Sequence, residues 1–274
     1  MTDFNSRKPY VAGYFYPKNK NELQKFVELA IKNKAKKESR IVVAPHAGYI
    51  YSGNCAGYSF NSLTNFLSDY STVILLGPNH TGYGTKVSVS LLDWETPLGV
   101  LKCNKEFVKE LENTSNLVKV DETAHLYEHS IEVMLPFLQV INSNIEIVCI
   151  CMLDQSLKSS QIVAKNIYDT LNKLNLTNNF CIVCSSDFTH YESADSARIK
   201  DMQCIEGIMN LDSLKFHEIL HKLDASICGY GPITVGIEIA KLFELKNPVL
   251  NHYTNSGERT KDYSEVVAYA SISF

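Results

Sequence analysis

Short apolar runs alternate with helix-length amphipathic stretches along the whole of this 274-residue chain. Four of the apolar runs have the length of a strand: residues 40–44, 72–76, 145–151 and 180–185. Between them lie segments such as residues 21–34, in which apolar side chains recur with the period of an α-helix. Strands separated by helices indicate βαβ units, so the pattern predicts a largely parallel sheet with helices on both faces.

No internal repeat, low-complexity tract or Pro/Gly/Ser-rich linker interrupts this alternation. We therefore expect a single α/β domain over residues 1–274, with a largely parallel central sheet flanked by helices. Hydrophobic residues make up 45% and charged residues 20% of the chain, as in globular domains that bury a core. This composition excludes a disordered chain, a collagen-like repeat and a small disulfide-stapled scaffold.

The net charge is −4, from 26 basic and 30 acidic residues, so no general positive field attracts nucleic acid. The first 16 residues lack the basic and apolar regions of a signal peptide, and no apolar run approaches the ~18 residues of a membrane span. We expect a cytoplasmic protein that contacts neither nucleic acid nor membrane, and whose eight cysteines stay reduced.

Four cysteines, Cys149, Cys151, Cys181 and Cys184, lie inside predicted strands. The Cys181-x-x-Cys184 spacing is also typical of redox and zinc motifs. Residues three apart in a strand point to opposite faces, however, so these two sulfurs are not expected to meet. We interpret all four side chains as small buried hydrophobes.

Histidines follow three predicted strands within a few residues, at His46, His80 and His190. In open α/β sheets, ligands bind beyond the carboxyl ends of the strands, so the three side chains occupy equivalent positions. His46 and His80 are suited to begin a divalent-metal site, because neutral imidazole is the commonest protein ligand. Asp187 precedes His190 in the same loop, and we predict that it orients His190 as a base, the alternative being a helix cap.

A third metal ligand is expected at Cys228, the cysteine that a hydrophobic core explains least. It lies in a glycine-rich loop just before a predicted helix, where the helix dipole favours a thiolate. Another histidine pair, His125 and His129, would share one face of a helix. Glu128, which lies between them, and Ser130, which follows His129, could equally cap the helix that follows.

Several of these segments together resemble the signature segments of the Memo family. This is the family of the mediator of cell motility, and its microbial members are called AmmeMemoRadiSam system protein B. The matching segments run in order along nearly the whole chain: Arg7 to Pro17, Pro45-His46-Ala47-Gly48-Tyr49, Leu76-Gly77-Pro78-Asn79-His80, Glu128-His129-Ser130-Ile131-Glu132, Ser185-Ser186-Asp187-Phe188-Thr189-His190 and Cys228-Gly229. The resemblance implies a fold similar to the class III extradiol dioxygenases, which are non-haem iron enzymes.

The resemblance also implies roles for individual residues. His46, His80 and Cys228 match the two histidines and the cysteine of the family's metal site. Asp187 and His190 match neighbours of that metal, with His190 where the dioxygenases keep an acid–base histidine, and His129 matches a further pocket histidine. We therefore expect Asp187, His190 and His129 as catalytic residues.

The resemblance favours a metal-dependent redox protein that uses iron or copper, with zinc as another candidate. Cys228 stands where the dioxygenases use a carboxylate, and a thiolate is the softer ligand, which favours copper or a different iron chemistry. The alternatives are a ring-cleaving dioxygenase, a zinc hydrolase and a non-enzymatic peptide-binding module. The expected ligand is a small molecule or peptide of unknown identity, and the microbial system name suggests a radical-SAM protein as partner.

Overall fold

Twelve strands form the central sheet within residues 6–32 and 34–274, the part of the chain that this computed structural model describes. The strands are β1 (Ser6–Arg7), β2 (Ile41–Ala44), β3 (Thr72–Pro78), β4 (Val87–Val89), β5 (Asp93–Thr96), β6 (Gly99–Cys103), β7 (Val118–Val120), β8 (Glu146–Met152), β9 (Phe180–Ser185), β10 (His190–Glu192), β11 (Val249–Asn255) and β12 (Val266–Ser273).

Nine α-helices accompany the strands in the same part of the chain. They are α1 (Lys20–Ala30), α2 (Tyr49–Leu63), α3 (Lys105–Thr114), α4 (Leu135–Ile141), α5 (Leu157–Lys173), α6 (Ala194–Met209), α7 (Ser213–Leu223), α8 (Tyr230–Leu242) and α9 (Gly257–Thr260). Among the described residues, no helix is both long and apolar enough to span a lipid bilayer.

The sheet is mixed, with a parallel centre and antiparallel margins. The main strand order is β1-β5-β6-β8-β3-β9-β2-β12-β10, and every pair from β6 to β2 is parallel. The pairs β5–β6, β2–β12, β12–β10, β11–β12 and β4–β8 are antiparallel. The central strands read as continuous apolar runs because helices cover both of their faces. The predicted single α/β domain with a largely parallel sheet is thus confirmed, and antiparallel strands are added at its edges.

Two hydrophobic cores lie on the two faces of the sheet, one beneath α1, α2 and α4, the other beneath α3 and α5 to α8. Strand β9 divides its side chains between them, with Cys181 and Val183 in the first core and Ile182 and Cys184 in the second. The prediction that Cys181 and Cys184 point to opposite faces is confirmed. All four strand cysteines are buried and free.

Local boundaries differ from the sequence predictions in a few places. The helix predicted over residues 21–34 ends at Ala30, and residue 33 lies outside the described part of the chain. No helix joins residues 125 to 129, which follow a short 3-10 turn at Glu122–Ala124. The sequence does not predict strand β10, because three residues interrupted by a bulge carry no readable alternation.

Adjacent parallel strands explain why the site residues meet. Strands β3, β9 and β2 are neighbours in the sheet and run in the same direction, so their carboxyl ends share one edge. His80 follows β3, Asp187 follows β9, and His46 follows β2, each by two residues. Along the chain the strands follow as β2, β3 and β9, but in the sheet they lie in the order β3-β9-β2. Where the strand order changes in this way, a crevice forms at the carboxyl edge, and ligands of such sheets bind there.

Candidate metal centre

The structure brings His46, His80 and Cys228 together at this edge of the sheet. One ligand atom from each, a ring nitrogen or the sulfur, lies within 4.8 Å of the other two. The Cys228 Sγ is 3.2 Å from the His46 Nε2. Residues separated by up to 182 positions in the chain therefore form one cluster of the size that a single ion occupies.

Hydrogen bonds determine which nitrogen of His46 faces the cluster. The Ser185 hydroxyl donates its only hydrogen to the Ser130 carbonyl oxygen at 2.6 Å, so it must accept the hydrogen bond that the His46 Nδ1–H donates at 2.7 Å. Protonated at Nδ1, the neutral ring of His46 has its lone pair on Nε2, on the side of Cys228. Such a support for the second nitrogen is usual for metal-binding histidines.

Glu128 orients His80 in the same way. Its carboxylate accepts from the His80 Nδ1 at 2.9 Å and from the backbone N–H groups of His80, His129 and Ser130. Burial alone would raise the pKa of the Glu128 carboxyl, but the hydrogen bond and the charges of the histidines hold that pKa at about 2. The ionised carboxylate only accepts, so His80 carries its proton on Nδ1 and presents Nε2 to the cluster.

The role of Glu128 is not evident from the sequence, which indicates only a helix cap at this position. No helix starts beside it, since Leu135 begins α4 after a 3-10 turn at Glu132–Met134. Ligand atoms of His80, Glu128 and His129 also lie within 4.8 Å of one another. We assign Glu128 to the support of His80, because four N–H groups already bond its oxygens.

Replacing Glu128 by glutamine is expected to weaken metal binding about 10- to 100-fold, because a neutral amide holds the His80 tautomer less firmly. Competition with a chelator of known affinity measures this change. Glu146→Gln, at the start of β8, is the matched control and should leave the affinity unaltered. Equal affinities in the two variants would show that Glu128 does not act through His80.

The loop that carries Cys228 is packed tightly against the end of β9. The Asp187 N–H donates to the Cys228 Sγ at 3.2 Å, and the Gly229 N–H donates to the Ser186 hydroxyl at 2.9 Å. A Cβ at Gly229 would lie 2.2 Å from the Ser185 carbonyl oxygen, so only glycine allows this approach. Burial, and then the nearby Asp187 charge, raise the pKa of the Cys228 thiol, so a bound cation would have to displace its proton.

Asp187 does not orient His190, and that prediction is wrong. One Asp187 carboxylate oxygen accepts from the backbone N–H groups of His46 at 2.8 Å and Ala47 at 3.3 Å. The other oxygen lies 4.0 Å from the His46 Nε2. Burial raises the pKa of Asp187 to about 7, against the lowering effect of the two N–H groups. Asp187 therefore positions the His46 loop, and it does not cap α6, whose cap is Ser193.

His190 is oriented by the Cys228 loop instead. Its Nδ1 lies 2.9 Å from the Ser226 carbonyl oxygen, which can only accept, so Nδ1 carries the proton, and Nε2 has no hydrogen bond to a described residue. The His190 N–H also donates to the Ser226 hydroxyl at 2.7 Å. Burial lowers the pKa of the His190 ring, which keeps the imidazole neutral. A neutral imidazole with one fixed and one free nitrogen is suited to accept a proton.

The two histidines expected to share a helix face are separated. His129 lines the pocket, with its ring stacked on that of His80 at 4.7 Å between centroids. His125 is fully buried against Trp94, and neither of its ring nitrogens has a hydrogen-bond partner among the described residues. His125 belongs to the core, and only His129 belongs to the candidate site.

An open pocket of about 510 Å³ leads to this cluster. His46, His80, His129, Asp187 and His190 lie among its lining residues. Aromatic side chains and the start of β12 provide its walls. A small molecule that enters the pocket would meet the histidines directly.

Comparison with known proteins gives the family context. The family described as Memo-like protein matches residues 7–273. A MEMO1 family protein of Methanosarcina barkeri is 40% identical over 269 residues, which covers 97% of this chain and 98% of the relative. A MEMO1 family protein of Thermoplasma volcanium is 41% identical over 270 residues, covering 97% of each chain.

A solved structure supports the fold alone. An uncharacterized protein from Escherichia coli K12 aligns with a TM-score of 0.52 at 11% sequence identity. The alignment covers 86% of this chain and 99% of the other.

Proposed function

This chain belongs to the Memo-like protein family, and we propose that it is a metal-dependent redox protein with iron or copper held by His46, His80 and Cys228. The observation that carries the proposal is the convergence of the three ligand atoms within 4.8 Å. The proposal is also supported by the Nδ1 hydrogen bonds of the two histidines, which leave the Nε2 lone pair of each ring for the metal.

The donor set suits such a metal. Two neutral imidazoles and one thiolate, formed when the metal displaces the thiol proton, offer a soft, low-charge site, which favours copper or iron over magnesium or calcium. Three protein ligands beside an open pocket leave further coordination positions for a substrate, as in catalytic sites. A bound iron or copper ion would supply one-electron chemistry at a molecule held in the pocket.

The residues around the ligands would each do a defined task. Glu128 and Ser185 hold the protons on the Nδ1 atoms of the two histidine ligands, so that Nε2 stays available. Asp187 fixes the loop that carries His46. His190 would take up a proton from the bound molecule at its Nε2, because its Nδ1 is committed to the Ser226 carbonyl.

Cys228 separates this proposal from a ring-cleaving dioxygenase, in which a carboxylate completes the ligand set. We therefore expect no ring cleavage of catechol-type substrates when iron is supplied. A peptide-binding module that uses the same pocket is the other alternative, and it needs no metal.

Elemental analysis of anaerobically purified protein tests the proposal, and we expect about one iron or copper ion per chain. A visible thiolate-to-metal absorption band should accompany the ion. His190→Ala should keep the metal and the band, because His190 is placed as a proton acceptor and not as a ligand. Zinc as the only metal would replace the redox proposal by a hydrolase, and loss of metal from His190→Ala would make His190 a ligand.

A further inference from the structure

A β-bulge places Tyr191 at the mouth of the pocket. Strands β10 and β12 pair His190 with Val267 and Glu192 with Val266, so the register shifts between His190 and Glu192 and Tyr191 is left over. Bulges are found beside active sites because they re-aim a side chain. Tyr191 directly follows His190 and lines the same pocket.

The backbone of Tyr191 is strained, and packing does not account for it. Its φ of +58° is in the left-handed region, which bulky side chains rarely adopt. The side chain is 77% exposed, so burial contributes little to hold it there. Its ring contacts that of His190 at 5.8 Å between centroids. An exposed aromatic ring kept in a costly conformation at a pocket indicates a role in binding.

Glu265 lies beside Tyr191 at the same rim. It immediately precedes Val266, which pairs with Glu192 next to the bulge. The side chain is exposed and lines the pocket. Among the described ion pairs, none uses Glu265, so its charge is available to a ligand.

The charge of the pocket lining is one-sided. Besides the histidines, its acidic residues are Asp187 at the floor and Glu265 at the rim, and no lysine or arginine of the described chain lines it. Phe15, Tyr51 and Tyr269 add flat apolar surface to the walls. No lysine or arginine of this described lining would pair with a carboxylate or phosphate, whereas a flat ring would stack on the aromatic walls.

We infer that Tyr191 and Glu265 select the ligand of this pocket, which is an uncharged or amine-bearing small molecule with a flat apolar body. Tyr191 stacks on that body, and Glu265 pairs with a cationic group at the pocket mouth. This inference rests on the proposed use of the pocket for a small molecule, but it does not depend on which metal is bound.

Three probes with one phenol ring and different tails test the charge preference: tyramine, 4-ethylphenol and 4-hydroxyphenylacetate. Dissociation constants are measured on the full chain by ligand-observed NMR at low salt, first as purified and again after a chelator has removed any metal. The charge preference is taken from the metal-free sample, because a metal ion would itself bind the carboxylate probe. Tyramine should bind about two- to fivefold more tightly than 4-hydroxyphenylacetate, as expected for an exposed charge contact. Glu265→Gln should bring the ratio towards one, and Glu265→Lys should invert it.

Tyr191 variants test the stacking role. Tyr191→Ala should weaken tyramine and 4-ethylphenol alike, by about three- to tenfold, whereas Tyr191→Phe keeps the ring and should bind as the parent does. Tyr70→Ala is the matched control, because Tyr70 also has a left-handed φ of +63° and is 73% exposed, but it does not line this pocket.

Metal content is measured on every variant, so that a failure of the metal proposal can be distinguished from a failure of this inference. A chain purified without metal that still prefers tyramine would overturn the metal proposal and leave this inference standing. Tighter binding of 4-hydroxyphenylacetate, binding of no probe, or equal effects of Tyr191→Ala and Tyr70→Ala would each overturn the inference.

Discussion

Replacing Cys228 by alanine is expected to lower the metal affinity of the chain by more than about a hundredfold. Loss of a residue that merely supports a ligand costs about 10- to 100-fold, so loss of a direct donor should exceed that range. Cys228 would also be the only anionic donor of the three once its thiol proton is displaced. Chelator competition and metal analysis measure the affinity, and the thiolate absorption band should disappear.

Two further variants make this result specific to the sulfur. Cys204→Ala removes another buried cysteine, from α6, and should keep both the metal and the absorption band. Cys228→Ser retains the shape of the side chain but offers a harder ligand, so it should lose the band and most of the affinity. Unchanged metal binding in Cys228→Ala would exclude Cys228 from the ligand set.

Replacing Arg7 by methionine is expected to lower the free energy of unfolding by about 3–5 kcal/mol, the usual result of breaking a buried ion pair. The Arg7 guanidinium pairs with the buried Glu132 and lies over the Trp94 ring at 4.5 Å. It also donates to the carbonyl oxygens of His125 at 3.1 Å and Glu128 at 2.8 Å. The variant would leave a buried carboxylate without its charge partner.

Glu132 makes this loss severe because its carboxylate also organises the N-terminal segment. It accepts from the backbone N–H groups of Tyr10 and Val11 and from the Tyr16 hydroxyl at 2.6 Å. Arg7 and Glu132 thereby connect the N-terminal segment to the loop that bears Glu128. We expect Arg7→Met to weaken metal binding as well, since the Glu128 carbonyl loses its donor.

Denaturant unfolding measures the stability change, and the neighbouring residue supplies a control. Lys8 pairs with Glu95 at the surface, where its side chain is mostly exposed. Such pairs contribute at most about 1 kcal/mol, so Lys8→Met should change the unfolding free energy by no more than that. A loss of similar size in both variants would contradict a structural role for the buried pair.

Reasoning from sequence succeeds where the signal is local. Apolar runs and helical periodicity predict β2, β3, β8 and β9 and the helices between them, because burial on both faces leaves a continuous pattern in the sequence. Residues that directly follow those strands necessarily lie at one edge of a parallel sheet. The order of the residues along the chain is therefore enough to place His46 and His80 at that edge together.

Sequence reasoning fails where a residue has its partner far away in the chain. The pattern around Glu128 is as compatible with a helix cap as with a ligand cluster, whereas its partner His80 lies 48 residues earlier. Asp187 and His190 are close in sequence, yet they bond to different loops. The bulge at Tyr191 depends on the register of β10 against β12, which no local pattern encodes.

The sequence by itself therefore determined the α/β class, the parallel centre of the sheet and the histidines at its carboxyl edge. Periodicity and strand order suffice for these features, because they follow from local burial and from the direction of each strand. Only the tertiary structure decided the proton position on each histidine, the hydrogen-bond partners of Asp187 and the backbone course of the pocket rim at Tyr191. These depend on hydrogen bonds between segments whose distance in space is unrelated to their distance in sequence.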